Sequence, residues 1–383
     1  MAEAFICEAV RTPVGKRNGT LSTTVATDLL AMVLAELATR ADVDPGAVED
    51  VTVGCVTQVG EQGWNVARMG VLAAGWPVEV PAVSLNRMCA SSLQSTNFAA
   101  QAVMSGQADL VVAAGVESMS RVKMGSDGGD VSDRVTSRFN IIPQGLSAEM
   151  IAMQWGFSRE ELDQYSYDSH MRAARAQEQG WFDAGVMPVT VTGPDGAEHT
   201  LERDETPRPG TTLEKMGQLP PVFNPDGGVV TAGNSSQICD GAAALLIASE
   251  AAVREHGLTP RARIVSTGLS GVDPTIMLTG NPVAMQRAVD RAGLTLDDMS
   301  VIEVNEAFAS VALQTMRDLE LDDRRDDVNP NGGGISIGHP LGASGARILT
   351  DMLGELDRRE GSHAIASMCI GFGMACATVV ERA

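Results

Sequence analysis

Aromatic side chains are scarce in this sequence. Phe, Tyr and Trp make up 4% of 383 residues, although 44% of the chain is hydrophobic. A core of this composition is built from Ala, Val, Leu and Ile, and 40 glycines let helices and strands approach closely, which favours a tightly packed α/β protein. Positive charge is also short: 28 Lys and Arg stand against 49 Asp and Glu, for a net −21. That argues against a nucleic-acid partner, because a phosphate backbone needs a basic face. A polyanionic small molecule stays open through a local basic patch. The six cysteines form no Cys-x-x-Cys pair and no Cys/His ligand spacing. Neither a metal site nor a disulfide framework is indicated, and reduced thiols in the cytoplasm are the expectation. The first residues have no basic segment followed by a long apolar run, and no apolar stretch reaches the length of a membrane span. The length is too great for one ordinary core and suits two or three.

Among what is present, the stretch CASSLQS, from Cys89 to Ser95, is central. The preceding PAVSLNRM reads as a buried strand and a tight turn. Leu93, Phe98, Ala99, Ala100, Val103 and Met104 suit a helix with no strongly polar face. Cys89 then stands at a helix N-terminus, whose free N–H groups and partial positive charge stabilise a thiolate and lower its pKa. It is a candidate nucleophile. The alternative is a small core residue, since free Cys is among the most buried residue types.

Along the chain, residues 4–10 read as a strand, followed by the Pro/Gly loop RTPVGKRNGTLS. A helix is expected over 28–39, a strand carrying Cys55 over 51–59, a helix over 64–74, and strands over 81–85 and 109–114, the last ending in GVESMSR. This alternation means a mostly parallel sheet with helices on both faces. Residues 120 to about 217 differ: a polar loop (KMGSDGGDVSDR), helical patterns over 147–155 and 160–179, and a Pro/Gly-rich stretch over 203–219. They read as an excursion from the sheet, lying over the site. Residues 229–248 return to strand and helix. From Arg261 the first half begins again: ARIVSTG matches FICEAVR, LDDMSVIEVNEA matches VEDVTVGCV, and HAIASMCIGFGMA matches ADLVVAAGVESMS. Three matches in the same order indicate a duplicated domain. The fold class is α/β, with two βαβ halves on mixed sheets. The expected boundaries are 1–119 for the first half, 120–225 for the inserted helical and loop domain, 226–255 for the return, and 256–383 for the second half. Corresponding helices would meet at a pseudo-twofold axis, with Cys89 facing the second half.

The second half carries further chemistry. NEAFAS (Asn305 to Ser310) follows the strand VIEV and either offers an amide and a carboxylate to a site or caps the next helix. His339 lies among small residues in GGGISIGHPLGASGAR, before a helix, where it is a functional imidazole or a satisfied core residue. Cys369 ends a strand, and Gly371 and Gly373 leave backbone N–H groups open to an oxyanion; the alternative is a glycine bulge beside a buried Cys.

Taken together, CASSLQS, GVESMS, GNSSQICDGAAA, NEAFAS, GGGISIGHPLGASGAR and CIGFGMACA resemble the thiolase family over essentially the whole chain. NEAF with GHP and Cys-x-Gly-x-Gly separates that family from ketoacyl synthases. The resemblance implies a five-layered α/β fold and cleavage or formation of the Cα–Cβ bond of a 3-ketoacyl-CoA through an acyl-cysteine. It casts Cys89 as nucleophile, His339 as the base that takes its proton, and Cys369 as the second cysteine that moves a proton to the acetyl-CoA enolate or from the CoA thiol. Asn305 and His339 would stabilise the enolate through a water. The N–H groups of Cys89 and Gly371 would form the second oxyanion hole, where one donor is worth on the order of 3 kcal/mol of barrier. Glu306 would support the site. Ser266 and Lys215 would contact pantetheine and the nucleotide end of CoA, the alternative for Lys215 being an ordinary solvated side chain. Phe308 and Phe372 are placed at the substrate. CoA is a substrate, and no cofactor or metal is implied. Acyl-CoA and CoA are the expected partners, with a homodimer or homotetramer as the assembly.

Four positions depart from the family's usual pattern: Ser92 in place of Gly, Phe372 in place of a smaller residue, Cys239 in place of Asn or Ser, and Pro143-Gln144 in place of a His-Met pair. The last makes a plain acetoacetyl-CoA substrate less favoured, and Phe372 is expected to crowd or re-aim the acyl pocket. A decarboxylating ketoacyl synthase and a non-catalytic acyl-CoA binder are the competing readings. The former wants a second catalytic His and no cysteine like Cys369, and the latter would tolerate Cys89→Ser.

Overall fold

A computed structural model describes residues 2–383. The first half comprises strand β1 (Ala4–Arg11), the two-residue β2 (Gly15–Lys16), helix α1 (Ala26–Ala41), β3 (Asp50–Gly54), α2 (Val66–Ala73), β4 (Ala82–Leu85), α3 (Ser91–Met104) and β5 (Leu110–Ser118). An excursion follows, with α4 (Asp133–Thr136), α5 (Gln144–Trp155), α6 (Arg159–Glu178), the hairpin β6 (Val189–Thr192) and β7 (Glu198–Leu201), and α7 (Leu213–Gly217). The chain returns through β8 (Cys239–Ser249) and α8 (Glu250–His256). The second half is β9 (Ala262–Gly271), α9 (Asn281–Ala292), β10 (Met299–Val304), α10 (Ala309–Asp318), α11 (Ser344–Arg358), β11 (His363–Ile370) and β12 (Met374–Arg382).

Nine strands pair in the order β10-β11-β12-β9-β1-β8-β5-β3-β4, and β2 adds to β8. The two halves repeat one pattern outward from the middle. In the first, β3 and β5 are parallel, and β5, β8 and β1 pair antiparallel. In the second, β10 and β11 are parallel, and β11, β12 and β9 pair antiparallel. The halves join where β1 meets β9 antiparallel, at Phe5↔Arg263 and Ile6↔Ala262. The three matched sequence segments form β1 with β9, β3 with β10, and β5 with β11, in equivalent places.

Helices α1 and α2 cover the outer face of the first half and α9 that of the second, while α3 and α11 pack on each other and on strands of both halves. The result is five layers, helix–sheet–helix–sheet–helix. The middle layer buries Leu93, Ile348, Leu349 and Leu353 against Ile6, Ile247 and Ile370. The crossing is tight: a Cβ on Gly345 would overlap the Leu93 amide. Ser92 belongs to this crossing, where its hydroxyl accepts the Ala346 N–H of α11 at 2.9 Å. The excursion adds no strand to the large sheet. Its hairpin pairs only with itself, and α5 and α6 pack on α10. Fully buried Arg11 ties it down, bonding Asp204 at 2.7 and 3.0 Å and Asp351 of α11 at 2.7 Å.

Three local expectations are corrected. The strand expected to carry Cys55 stops at Gly54, because the Val56 and Thr57 amides turn to Glu117. The helix expected from Trp64 begins at Val66, since Trp64 and Asn65 have positive φ and the Asn65 side chain caps the helix. The alanine-rich run after Cys239 is strand throughout, and the helix waits until Glu250. Burial on both faces of a central strand overrides the helix preference of Ala.

Candidate active site

Cys89 and His339 sit in corresponding places, in the loops that lead into α3 and α11. The Cys89 turn is held by side chains. Asn86 Oδ1 accepts the Met88 N–H at 2.7 Å, Ser91 Oγ accepts the Arg87 N–H at 2.9 Å, and Met88 takes a left-handed φ of 46°. Cys89 follows that strained residue, buried, two positions before the helix starts. Its sulfur receives its own N–H and that of Gly371 from the second half. These donors favour a thiolate, yet burial outweighs them and pushes the thiol up to about 11. The expectation of a lowered pKa is therefore overturned: the cost of desolvating an anion exceeds the gain from the N–H groups.

The His339 Nδ1 lies 2.5 Å from Ser344 Oγ, and that hydroxyl donates to the Pro340 carbonyl at 3.0 Å. With its one hydrogen committed, Ser344 accepts from Nδ1–H. The Nε2 lone pair is left facing the Asn305 amide nitrogen at 3.4 Å. Burial, followed by the nearby Arg347 charge, lowers the His339 pKa to about 3. The imidazole is neutral and able to accept a proton. Asn305 is not a helix cap: α10 begins at Ala309 with Phe308 at its cap. Asn305 Oδ1 is buried with no partner among the described residues. Cys369 is fully buried at the end of β11, and its thiol is raised by burial and by the charge of Cys89. It keeps its proton at neutral pH.

A pocket of about 150 Å³ brings together Cys89, His339 and Phe308 with Met119, Gln144, Phe223, Ser235, Ser236, Gln237, Ala307 and Leu341. Other expected residues lie elsewhere. Ser266 points its hydroxyl at the Ala288 carbonyl of α9 at 2.6 Å, five residues along β9 from the end that faces the Gly371 turn. The serines at the pocket are Ser235 and Ser236 of GNSSQICDG, a segment set by hydrogen bonds from Ser236 N–H to the Ala307 carbonyl and from Gln237 N–H to the Gly334 carbonyl. Lys215 is exposed, its Nζ bonded to the Gly210 carbonyl of its own loop. Phe372 does not line the pocket. It is half exposed at φ 64° between two glycines, so it neither crowds nor re-aims the acyl site. Glu306 turns away as well, accepting from Tyr165 (3.0 Å), Asn329 (3.2 Å), Ser169 (2.8 Å) and the Ile335 N–H (3.1 Å). It fixes the glycine loop before His339 and touches no substrate space. Cys239 packs behind the same loop with its sulfur toward the Gln237 carbonyl at 3.3 Å.

One residue had no role in the reading of the sequence. Glu117, buried at the end of β5, accepts the N–H groups of Val56 (2.9 Å), Thr57 (3.1 Å) and Gly342 (2.8 Å) and the Gln62 amide (2.8 Å). It joins the first half to the His339 loop. Its place in GVESMS, a carboxylate at the end of an apolar strand, is the signal that could have singled it out.

Comparison with known proteins agrees with this geometry. The model of the thiolase N-terminal domain matches residues 4–251, and that of the thiolase C-terminal domain matches residues 258–382. The chain is 44% identical over 396 residues to the steroid 3-ketoacyl-CoA thiolase FadA6 of Mycobacterium tuberculosis, covering 100% of this chain and 95% of that one. It is 43% identical over 401 residues to a beta-ketoadipyl-CoA thiolase of Acinetobacter baylyi, with both chains fully covered. It is 44% identical over 389 residues to a 3-ketoacyl-CoA thiolase of Vibrio vulnificus, again with both fully covered. The crystal structure of human mitochondrial 3-ketoacyl-CoA thiolase superposes with a TM-score of 0.91 at 39% identity, covering 100% of this chain and 99% of that one.

Proposed function

The chain belongs to the thiolase family, and from that premise we propose how its own residues carry out thiolysis of a 3-ketoacyl-CoA. The observation that carries the reading is the meeting of Cys89 and His339, from opposite halves, in one pocket, with the Gly371 N–H on the Cys89 sulfur. The resting pair is thiol and neutral imidazole. His339 Nε2 takes the Cys89 proton as the sulfur attacks the 3-keto carbon. The N–H groups of Cys89 and Gly371 stabilise the oxyanion that forms. Collapse breaks the bond between the second and third acyl carbons, and the acyl group stays on Cys89. The departing acetyl-CoA enolate, held by Asn305 and His339, takes its proton from Cys369. CoA then gives its thiol proton to Cys369 and attacks the acyl-Cys89. The shortened acyl-CoA leaves, and Cys89 recovers its proton from His339.

Degradation is the direction we assign, because apolar walls around Cys89 suit acyl groups longer than acetyl. Run backward, the same site condenses two acetyl groups. Six free, buried cysteines support a reducing compartment, the cytoplasm. No helix among the described residues is long and apolar enough to cross a membrane. The test is loss of the acetoacetyl-CoA enolate absorbance on addition of CoA. Cys89→Ala is expected to abolish it, and a variant with undiminished turnover contradicts the reading.

We also place a second copy on the edge strand β4, where Val83 is exposed, as are Trp64 and Val78 in the segments that lead to it. Sedimentation should give at least twice the monomer mass, and a monomer at micromolar concentration contradicts this.

A further inference from the structure

Resting on the thiolase reading, we propose that Glu117 is a positioning residue: one of its buried oxygens joins the loop that carries Cys89 to the loop that carries His339 and sets the spacing of nucleophile and base. Glu117 Oε2 accepts two N–H groups, that of Val56 at 2.9 Å and that of Gly342 at 2.8 Å. Each leads to one member of the catalytic pair. Asn86 Nδ2 donates to the Val56 carbonyl at 3.0 Å, and Asn86 Oδ1 accepts the Met88 N–H at 2.7 Å, next to Cys89. On the other side, Gly342 stands three residues after His339. It has no room for a side chain, since a Cβ there would lie 2.8 Å from Glu117 Oε2 and 2.7 Å from the Cys55 Cα. The two loops therefore meet at a single atom.

That atom is itself held still. Glu117 lies on β5, whose residues are all buried, and it pairs with Gly241 of β8. Its Oε1 accepts the Thr57 N–H at 3.1 Å and the Gln62 side-chain amide at 2.8 Å, while Gln62 Oε1 accepts the Ser118 N–H at 2.7 Å. Met119, two residues on, lines the pocket.

Burial raises the Glu117 pKa and the four donors oppose that rise. With N–H groups at all four lone-pair positions, no proton has a place, and the group is a carboxylate. No Lys, Arg or His pairs with it among the described residues. A buried charge without a cation is costly, and here the cost falls where the two halves of the site meet. Charge-assisted bonds are roughly twice as strong as neutral ones, which suits an atom that must fix two loops. The charge also reaches Cys89, whose thiol it helps to raise. His339 and Cys369 are the other titratable groups at that sulfur.

The test follows CoA-dependent cleavage of acetoacetyl-CoA and of a six-carbon 3-ketoacyl-CoA, with iodoacetamide alkylation of each cysteine read by mass spectrometry. Glu117→Gln keeps the shape but turns an NH2 group toward N–H donors. A displacement of about 1 Å between reacting groups costs on the order of a hundredfold, and kcat should fall by that factor. KM should stay within about twofold. Cys89 should be alkylated at least as fast as in the wild type, because the charge opposing its thiolate is gone. The other cysteines should stay unmodified, which shows that the variant is folded and places the loss in the alignment with His339. Glu117→Asp keeps the charge but shortens the reach by one methylene, and kcat should fall in it too. Asn86→Ala cuts the same chain of bonds, so combining it with Glu117→Gln should leave kcat within about twofold of Glu117→Gln alone. Unchanged kcat in Glu117→Asp overturns the proposal, even if Glu117→Gln does not fold. So does a loss carried by KM, a matching loss of Cys89 alkylation, or losses that multiply in the double variant. Failure of the wild type on both substrates would instead overturn the thiolase reading beneath it.

Discussion

At Cys89 two effects oppose each other. Two N–H groups favour the anion, and enclosure favours the thiol; enclosure wins and the thiol sits near 11. His339 is pushed the opposite way, to about 3, by the same enclosure. Both groups are uncharged across the neutral range, so the nucleophile is made only when substrate is present. Alkylation of the substrate-free enzyme at Cys89 by iodoacetamide should therefore rise about tenfold per pH unit from about pH 6 to 9, as thiolate fraction rises. A plateau near pH 7 would show a preformed thiolate–imidazolium pair and contradict this. These residues stand out in sequence because a sulfur or an imidazole among small residues is chemically unusual. What surrounds them does not. Ser236 and Ser266 look alike in a string, and only the fold puts one hydroxyl at the pocket and turns the other onto a helix carbonyl. Burial is a property of the whole fold, which is why the shift at Cys89 had the wrong sign when read from its helix alone.

At the level of elements, the site depends on α3 and α11 crossing without a gap. Gly345 packs on the backbone of Leu93, and Ser92 accepts the Ala346 N–H. A methyl at Gly345 must force the helices apart, and overpacking of this kind costs about 1–3 kcal/mol. Gly345→Ala should lower the urea unfolding free energy by that amount. It should also reduce kcat, because the loops holding Cys89 and His339 move with their helices. Unchanged stability and activity would mean that the crossing is loose. The strands of the repeat were legible because Val-rich runs of fixed order signal a buried sheet. The ends of elements were not. Cys55 left its strand because a carboxylate sixty-two residues later draws the neighbouring amides, and an alanine run became a strand because both its faces are covered.

For the whole molecule, the duplication explains why a reactive centre exists at all. Each half brings a helix-leading loop to the middle layer, one bearing a thiol and the other an imidazole. The end of β11 adds Cys369, and the turn after it the Gly371 N–H. Glu117 and Arg11 lock these parts across the halves and the excursion. The sequence carried the repeat and the motifs, so this arrangement could be expected before any coordinates. The part that Gln144 and Phe223 play in the pocket could not, because they come to Cys89 only once the excursion folds back over the site. The most direct measurement is mass spectrometry of the protein after incubation with acetyl-CoA and no free CoA. A single acetyl group should appear on the peptide containing Cys89, vanish on addition of CoA, and be absent in Cys89→Ala. Acetyl on Cys369 or any other cysteine, with Cys89 unmodified, would contradict the account.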